Sequence, residues 1–551
     1  MTAAPAIDRG AADTRSVMEA AASLDVGIWA RLNKVVLSNG KQFGFQDHGY
    51  QKEIYTALSR DPLVSVMKGS QVGLSEAAVL SGIHGCSYIW PRAAIYYFPT
   101  DVDVTSFSKM RFTPLLENNP ETLGQLIRSG AVNDVHTKRI AGRAHFLFRG
   151  LKGKTSVKTV PADCLFFDEL DEADPMQVEQ ALQRVAVSEY KWVRYFSTPT
   201  LPEFGVHEKY LKSDQRHRMY WCEGCAKYTC LETDWPDCIL PTKDGPVRVC
   251  RHCKKPLGLN HPRNEWVPKF PGKMDGGMAS TGYWLSQLQS IHVNLHQIWE
   301  EWERGPKYLD VFYNHVLAQP YVDARGRLEV GQVLALCGFQ GMEHTSDEPC
   351  AIGIDVGPEE HHVVVGRLEP NGLIRVVYIG ATDWVGLDSI MDRFKGIAVI
   401  DGLGETERAR NWAKQHTTRA WCCFYTRNPK NPANFDNEKQ EVTIYATAAM
   451  DRSHDLIMRG KIALPHRSDV VEEFAKHCHN VARKRIEDEE TGEVQHTWVK
   501  LRADHYRRAL NFMVLASDRT PAANYRAGDF SRKGKGSLLN PATRLSDTYR
   551  W

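Results

Sequence analysis

Lys68-Gly69-Ser70-Gln71-Val72-Gly73-Leu74-Ser75-Glu76 follows the apolar run LVSVM (63–67) and leads into the helix-like Ala77-Ala78-Val79-Leu80. A strand, a glycine-containing turn and a helix start in this order aim backbone N–H groups and the positive helix end at one point, where a phosphate can sit. The stretch therefore predicts an α/β unit that holds a nucleotide at a strand's carboxyl end. The usual phosphate loop has Lys between its last Gly and the Ser, and here that slot is Leu74. The cation is then expected from Lys68 at the loop entrance, while Ser75 keeps the hydroxyl for Mg²⁺.

Outward from this loop, AIYYF (94–98), HFLF (145–148), CLFF (164–167) and VRYF (193–196) alternate with helical patterns. The span from Pro62 to Thr200 thus reads as a largely parallel sheet. CLFF ends in Asp168-Glu169, so a metal-holding acid and a general base can stand side by side, Asp168 as the first and Glu169 as the second. VRYF runs into Ser197-Thr198-Pro199-Thr200, a polar turn suited to sensing the terminal phosphate. Upstream, Gln51 offers an amide for an adenine edge. Together these features predict an ATPase, with Arg139, Arg143 and Arg149 as candidates for a guanidinium acting on a neighbouring subunit.

Between Tyr220 and Pro271 periodicity fades and cysteines cluster. Cys222-x₂-Cys225 and Cys250-x₂-Cys253 are two knuckles of the kind that close four thiolates around a structural Zn²⁺. Cys230 and Cys238 are read as bystanders. Helical spacing from Trp284 to Val316 suggests a connector. A second α/β texture begins with AIGID (351–355), HVVVGRL (362–368) and IRVVYIG (374–380), followed by AVID (398–401) and a helix from about Asp504 to Ala516. Two strand-end acids, Asp355 and Asp401, and a helix-start acid, Asp504, form the set a ribonuclease-H-like nuclease needs for two divalent ions about 4 Å apart.

Composition sets limits. Lys+Arg at 69 against Asp+Glu at 67 gives a net charge of +2, so contact with a polyanion must be local, as at Lys152, Lys154 and Lys158. Thirteen Cys, an odd number, fit reduced thiols in a cytoplasm better than a secreted disulfide framework. Neither a membrane span nor a signal peptide is expected. The stretch 525–551 has six Lys or Arg against two Asp and reads as a basic, weakly structured tail.

In this order the motifs resemble the large terminase subunits of tailed bacteriophages, in their lambda-type branch. The residues that carry the resemblance are KGSQVGLSE, LFFDELDEAD, STPT, CEGC and CRHC, WLSQLQS (284–290), FYNHVLAQPYVD (312–323), AIGIDVG, AVIDGLGET and ADHYRRAL. The resemblance implies an N-terminal P-loop ATPase of RecA/ASCE type, a zinc-ribbon element and a C-terminal ribonuclease-H-like nuclease. It implies a motor that drives double-stranded viral DNA into a procapsid and a Mg²⁺- or Mn²⁺-dependent endonuclease that cuts concatemers. ATP would be held by Gln51, Lys68, Gly69, Ser70, Gln71, Val72, Gly73, Leu74, Ser75, Asp168, Ser197 and Thr198, with Glu169 as base. Asp355, Asp401 and Asp504 would hold the nuclease metals; many relatives carry two adjacent acids where this chain has Asp504-His505, which leaves a part for His505 open. A terminase small subunit, the portal ring and a ring of five copies are the implied partners, with the host cytoplasm as location and no place in the mature virion.

The expected division is an N-terminal extension (1–43), the ATPase (44–219), the zinc ribbon (220–271), a helical connector (272–347), the nuclease (348–520) and a tail (521–551) that contacts the portal. The alternative is a helicase-type or remodelling ATPase with a zinc ribbon and no nuclease activity, in which Asp355 and Asp401 are only strand ends.

Overall fold

The computed structural model describes residues 9–128, 134–152, 160–305, 308–322, 326–426, 433–487 and 494–522. Lys154 and Lys158 of the local basic cluster, and the basic tail, lie outside the described residues. The chain divides into two compact units, Met1–Tyr321 and Val322–Trp551. Among the described residues no helix is long and apolar enough to cross a membrane.

The first unit is built on one large sheet. Its strands are β1 (Leu63–Lys68), β2 (Ala93–Phe98), β3 (Thr137–Ile140), β4 (Ala144–Gly150), β5 (Cys164–Asp168), β6 (Trp192–Ser197), β7 (Arg216–Cys222), β8 (Lys227–Thr229), β9 (Ile239–Thr242), β10 (Gly245–Arg248), β11 (Glu265–Pro268), β12 (Met274–Asp275) and β13 (Met278–Leu285). The order across the sheet is β11-β7-β13-β1-β6-β5-β2-β4-β3, while β9 and β10 form a separate ribbon. From β13 through β4 neighbouring strands are parallel. All five apolar runs read from the sequence are parallel strands of this sheet. They are buried on both faces, as continuous apolar runs in parallel sheets are. β6 separates the loop strand β1 from the acidic strand β5, so the ends of all three open on one edge.

The segment 272–347 differs from the helical connector expected. Met278–Leu285 is the strand β13, parallel to β1 in register Lys68↔Leu285, and the first unit runs on to Tyr321. Trp284, Leu285 and Leu288 sit at helical spacing, but a short apolar run cannot tell strand from helix by periodicity alone. The cysteine region is likewise more than a metal-held appendage. β7 continues the main sheet, and Tyr220, Leu231 and Ile239 share an apolar cluster with Leu288, Ile298 and Phe312.

The second unit holds β14 (Ser346–Val356), β15 (His361–Leu368), β16 (Ile374–Thr382), β17 (Phe394–Asp401), β18 (Ala420–Thr426), β19 (Asn434–Asp436), β20 (Glu441–Tyr445) and β21 (Ile462–Ala463) in one sheet. β22 (Val481–Glu487) and β23 (Val494–Lys500) form a hairpin. The sheet order is β19-β20-β18-β17-β14-β15-β16-β21. β14, β15 and β16 form an antiparallel meander, and β17 joins β14 in parallel. The helix His505–Ala516 lies against β14 so closely that a Cβ on Gly353 would run into the Ala509 carbonyl and the Met513 amide. Glycine there lets helix and sheet meet, which places the helix start beside the strand ends.

Candidate functional site

In the first unit, the loop after β1 turns into the helix Leu74–Tyr88 through Gly73 at φ 81°. A Cβ at Gly73 would stand 2.9 Å from Gln51 Nε2 in addition to the unfavourable φ, so the turn needs glycine. Leu74, which occupies the usual lysine slot, is 2% exposed and packs into the core. Lys68 supplies the cation at the loop. Its Nζ donates to Glu169 Oε1 at 2.6 Å, and the Lys68 residue is only 8% exposed. Burial opposes charge on Lys68, but Glu169 and then Asp168 outweigh it and raise its pKa.

Asp168 ends β5 and accepts a 2.8 Å hydrogen bond from the Tyr96 hydroxyl. Burial pushes the Asp168 carboxyl up against the opposing pull of Lys68. For Glu169 burial also acts upward, but Lys68 charge and hydrogen bonding prevail and hold it below the usual range. Two adjacent carboxylates with opposite shifts suit unequal roles, one ready to ligate and one held ionised. Glu169 lies at φ 47°, ψ 50°, left-handed without being glycine, a conformation that clusters at functional sites. The β6 turn faces it: the Ser197 hydroxyl and Thr198 N–H lie 3.5 and 3.4 Å from Glu169 Oε2. Ser75 is half-buried in the first turn of the helix.

Gln51 is turned elsewhere than expected. Its Nε2 donates to the Val72 carbonyl at 2.7 Å, so it props the loop. Arg143 and Arg149 donate to backbone carbonyls of Ser87 and His136. Three supports have no counterpart among the residues picked from the sequence. The His315 carbonyl accepts from Ser70 N–H at 2.9 Å, and Gln287 Nε2 donates to the Ser70 carbonyl at 3.0 Å. Asp171 accepts from the Thr200 N–H and hydroxyl at 2.8 and 2.9 Å and so fixes the β6 turn. Gln287 and His315 fall within WLSQLQS and FYNHVLAQPYVD, the only sequence signal for them.

The four cysteines Cys222, Cys225, Cys250 and Cys253 bring their Sγ atoms within 4.8 Å of one another. Cys222 and Cys253 are 3.5 Å apart, Cys225 and Cys250 3.6 Å, close to the ~3.8 Å between sulfurs of a tetrahedral ion with ~2.3 Å bonds. The two knuckles match in backbone. Ala226 N–H bonds to the Cys222 carbonyl and Lys254 N–H to that of Cys250, with Ala226 at φ 53° and Lys254 at φ 59°. The donor set fits Zn²⁺. Cys230 stands apart, 3.8 Å from His217 Nδ1.

Residues 40–267 match the family model described as "Phage terminase large subunit gpA, ATPase domain". That stretch of the chain is thus similar to the ATPase domain of phage terminase large subunits. No curated protein matches it. Among solved structures it is similar to the HK97 bacteriophage large terminase, at 12% identity and TM-score 0.50, covering 88% of this chain and 97% of that one. It is also similar to the large terminase of a thermophilic bacteriophage, at 12% identity and TM-score 0.28, covering 84% and 96%. At such identity the HK97 likeness is one of fold. The Lys68, Asp168–Glu169 and Ser197–Thr198 constellation accordingly lies within a terminase ATPase domain.

In the second unit, Asp355 and Asp401 lie at the ends of the adjacent parallel strands β14 and β17, whose register pairs Ile354 with Ile400. Both are buried. Asp401 is pushed up to about 6, first by burial and then by repulsion from Asp355, against a hydrogen bond from Leu403 N–H. Neither Asp401 nor Asp504 falls in the group of possible ligand atoms, all within 4.8 Å, that Asp355 forms with His362 and His505. Asp504 is 1% exposed, with Lys500 Nζ at 3.1 Å from Oδ1 and Arg508 Nε at 2.9 Å from Oδ2. The residue after Asp504 reaches Asp355: His505 Nδ1 is 2.8 Å from Asp355 Oδ2. Successive residues at a helix start diverge by about 100°, so only one of the two can face the strand ends.

Proposed function

We propose that the chain is the motor and scissors of phage genome packaging. It translocates double-stranded viral DNA into the procapsid at the expense of ATP and cuts concatemeric DNA with divalent metal ions. The observation that carries the reading is that each unit ends its central parallel strands in paired carboxylates, Asp168–Glu169 in one and Asp355 with Asp401 in the other.

In the motor, the loop amides after Lys68 orient the phosphates, Lys68 offsets their charge, and Glu169 accepts the proton of the attacking water. Mg²⁺, when bound through Ser75 and Asp168, would neutralise charge on the β and γ oxygens. Ser197 and Thr198, touching Glu169, link the base to a turn that can respond to loss of the γ-phosphate. Thiolates of the four cysteines hold Zn²⁺ as a structural clasp on β7. In the second unit Asp355 and Asp401 would hold divalent ions, which when bound would supply water activation and stabilisation of the leaving oxygen; cutting needs no base readout because that chemistry serves any phosphodiester. A terminase small subunit, the portal ring and a ring of five copies are the partners of this reading, with the host cytoplasm as its setting and release before the virion matures.

The test is ATP turnover and cleavage of supercoiled plasmid with Mg²⁺ or Mn²⁺, for wild type, Glu169→Gln and Asp401→Ala. Glu169→Gln should stop turnover and leave cleavage, and Asp401→Ala should do the reverse. Plasmid cut by Asp401→Ala at the wild-type rate would leave a helicase-type or remodelling ATPase without this nuclease site.

A further inference from the structure

We propose that the second unit holds its divalent ion through a mixed set of one carboxylate and two imidazoles, Asp355, His362 and His505, and so selects a first-row transition ion such as Mn²⁺ over Mg²⁺. The inference deepens the cutting activity proposed above and rests on it for the metal's purpose, though not for its ligands.

Three observations carry it. Asp355 on β14 and His362 on β15 are direct cross-strand partners, so their side chains leave the sheet on the same face. His505, at the start of the helix packed on that face, brings Nδ1 to 2.8 Å from Asp355 Oδ2. One donor atom from each of the three residues lies within 4.8 Å of the others. The rings of His362 and His505 stack at 4.8 Å and 20°. The His362 side chain is 9% exposed, and its Nδ1 has no hydrogen-bond partner among the described residues. A buried imidazole nitrogen without a partner is costly, and a metal ion would satisfy it.

Asp504, expected to complete an all-oxygen site, lies between two cations, Lys500 and Arg508, and is outside the group that Asp355, His362 and His505 form. Mg²⁺ takes oxygen ligands and strict octahedral geometry, whereas imidazole nitrogen favours first-row transition ions, Mn²⁺ the least of them, so Mn²⁺ is the most stringent probe of this set. Two histidines and one carboxylate leave positions open for water and a phosphodiester oxygen. Asp401, at the end of the parallel strand β17 beside β14, is the carboxylate for a second ion or for the attacking water.

The test uses the full chain, zinc-loaded at its cysteines, stripped of other metals, without nucleotide, and titrated with Mn²⁺ under electron paramagnetic resonance. The expected result is a bound Mn²⁺ whose spin-echo modulation shows coupling to ¹⁴N, and which an equal concentration of Mg²⁺ does not displace. His362→Asn should remove part of that coupling and weaken binding by about tenfold or more; wild-type spectra need no variant and stand if the variant misfolds. Bound Mn²⁺ with no nitrogen coupling, or ready displacement by Mg²⁺, would overturn the proposal, and plasmid cleavage by the same sample would then leave the cutting function standing on carboxylates alone. No Mn²⁺ bound and no cleavage would remove both.

Discussion

Lys68 Nζ and Glu169 Oε1 stand 2.6 Å apart, joining the first residue of the phosphate loop to the residue after the acidic strand. The pair neutralises two charges at the edge of the sheet until a nucleotide's phosphates compete for the ammonium. Removing Lys68 therefore removes both a phosphate contact and the charge that keeps Glu169 ionised. Lys68→Met should lower the ATP turnover rate by about a hundredfold or more, the range for groups acting directly on the transition state. Because Lys68 holds the Glu169 carboxyl low, the variant's Glu169 should protonate at higher pH than wild type. Titration of the carboxylates by infrared difference spectroscopy checks the direction.

Tyr96 reports on Asp168. Its hydroxyl donates to Asp168, which favours the ionised form, while burial pushes the other way. Tyr96→Phe should raise the Asp168 pKa further, so the acid limb of the ATPase pH profile should move to higher pH by about one unit. An unmoved limb with unchanged turnover would separate Tyr96 from the chemistry.

Asp401 makes stability depend on pH in the opposite sense from a salt-bridged acid. Its folded pKa of about 6 lies above the unfolded value, so the native chain binds the proton more tightly. Stability falls as pH rises from about 4 through 6, and the ionised group's penalty is fully present above that. Asp401→Asn should raise the melting temperature of metal-free protein at neutral pH by several degrees, for a shift worth about 3 kcal/mol at most. The gain should shrink as pH falls below 6, which calorimetry across that range measures.

The cysteine clasp should behave as one structural ion. Cys250→Ser should cut zinc content from one equivalent toward none and destabilise the β7 edge, where Tyr220 and Leu231 share a cluster with Leu288 and Phe312. Metal analysis with thermal unfolding tests this; full zinc content in the variant would refute four-thiolate binding.

Much of the ATPase site is legible along the chain because its parts are contiguous. KGSQVGLSE, CLFFDE and VRYFSTPT each carry a strand or its end together with the polar residues that follow, and a strand's carboxyl end is where α/β sheets bind ligands. What escapes a linear reading is support from afar. His315 and Gln287 hold Ser70 across more than two hundred residues of sequence, and no local pattern predicts a hydrogen bond at that separation. An amide ahead of a helix, as at Gln51, is available for adenine; its bond to Val72 instead depends on how the loop folds back.

By itself the sequence determined the largely parallel sheet of the first unit, the α/β texture of the second, the paired acids at strand ends and the four-cysteine set. Each of these depends on alternation, strand length or ligand spacing, which are local properties. Only the tertiary structure decided that Met278–Leu285 is a sheet strand, that His505 rather than Asp504 meets Asp355, and that His362 stands opposite it. Register between strands, and the facing of one residue over its neighbour at a helix start, are set by packing such as the contact of Gly353 with Ala509 and Met513. Those contacts exist only once distant segments have met.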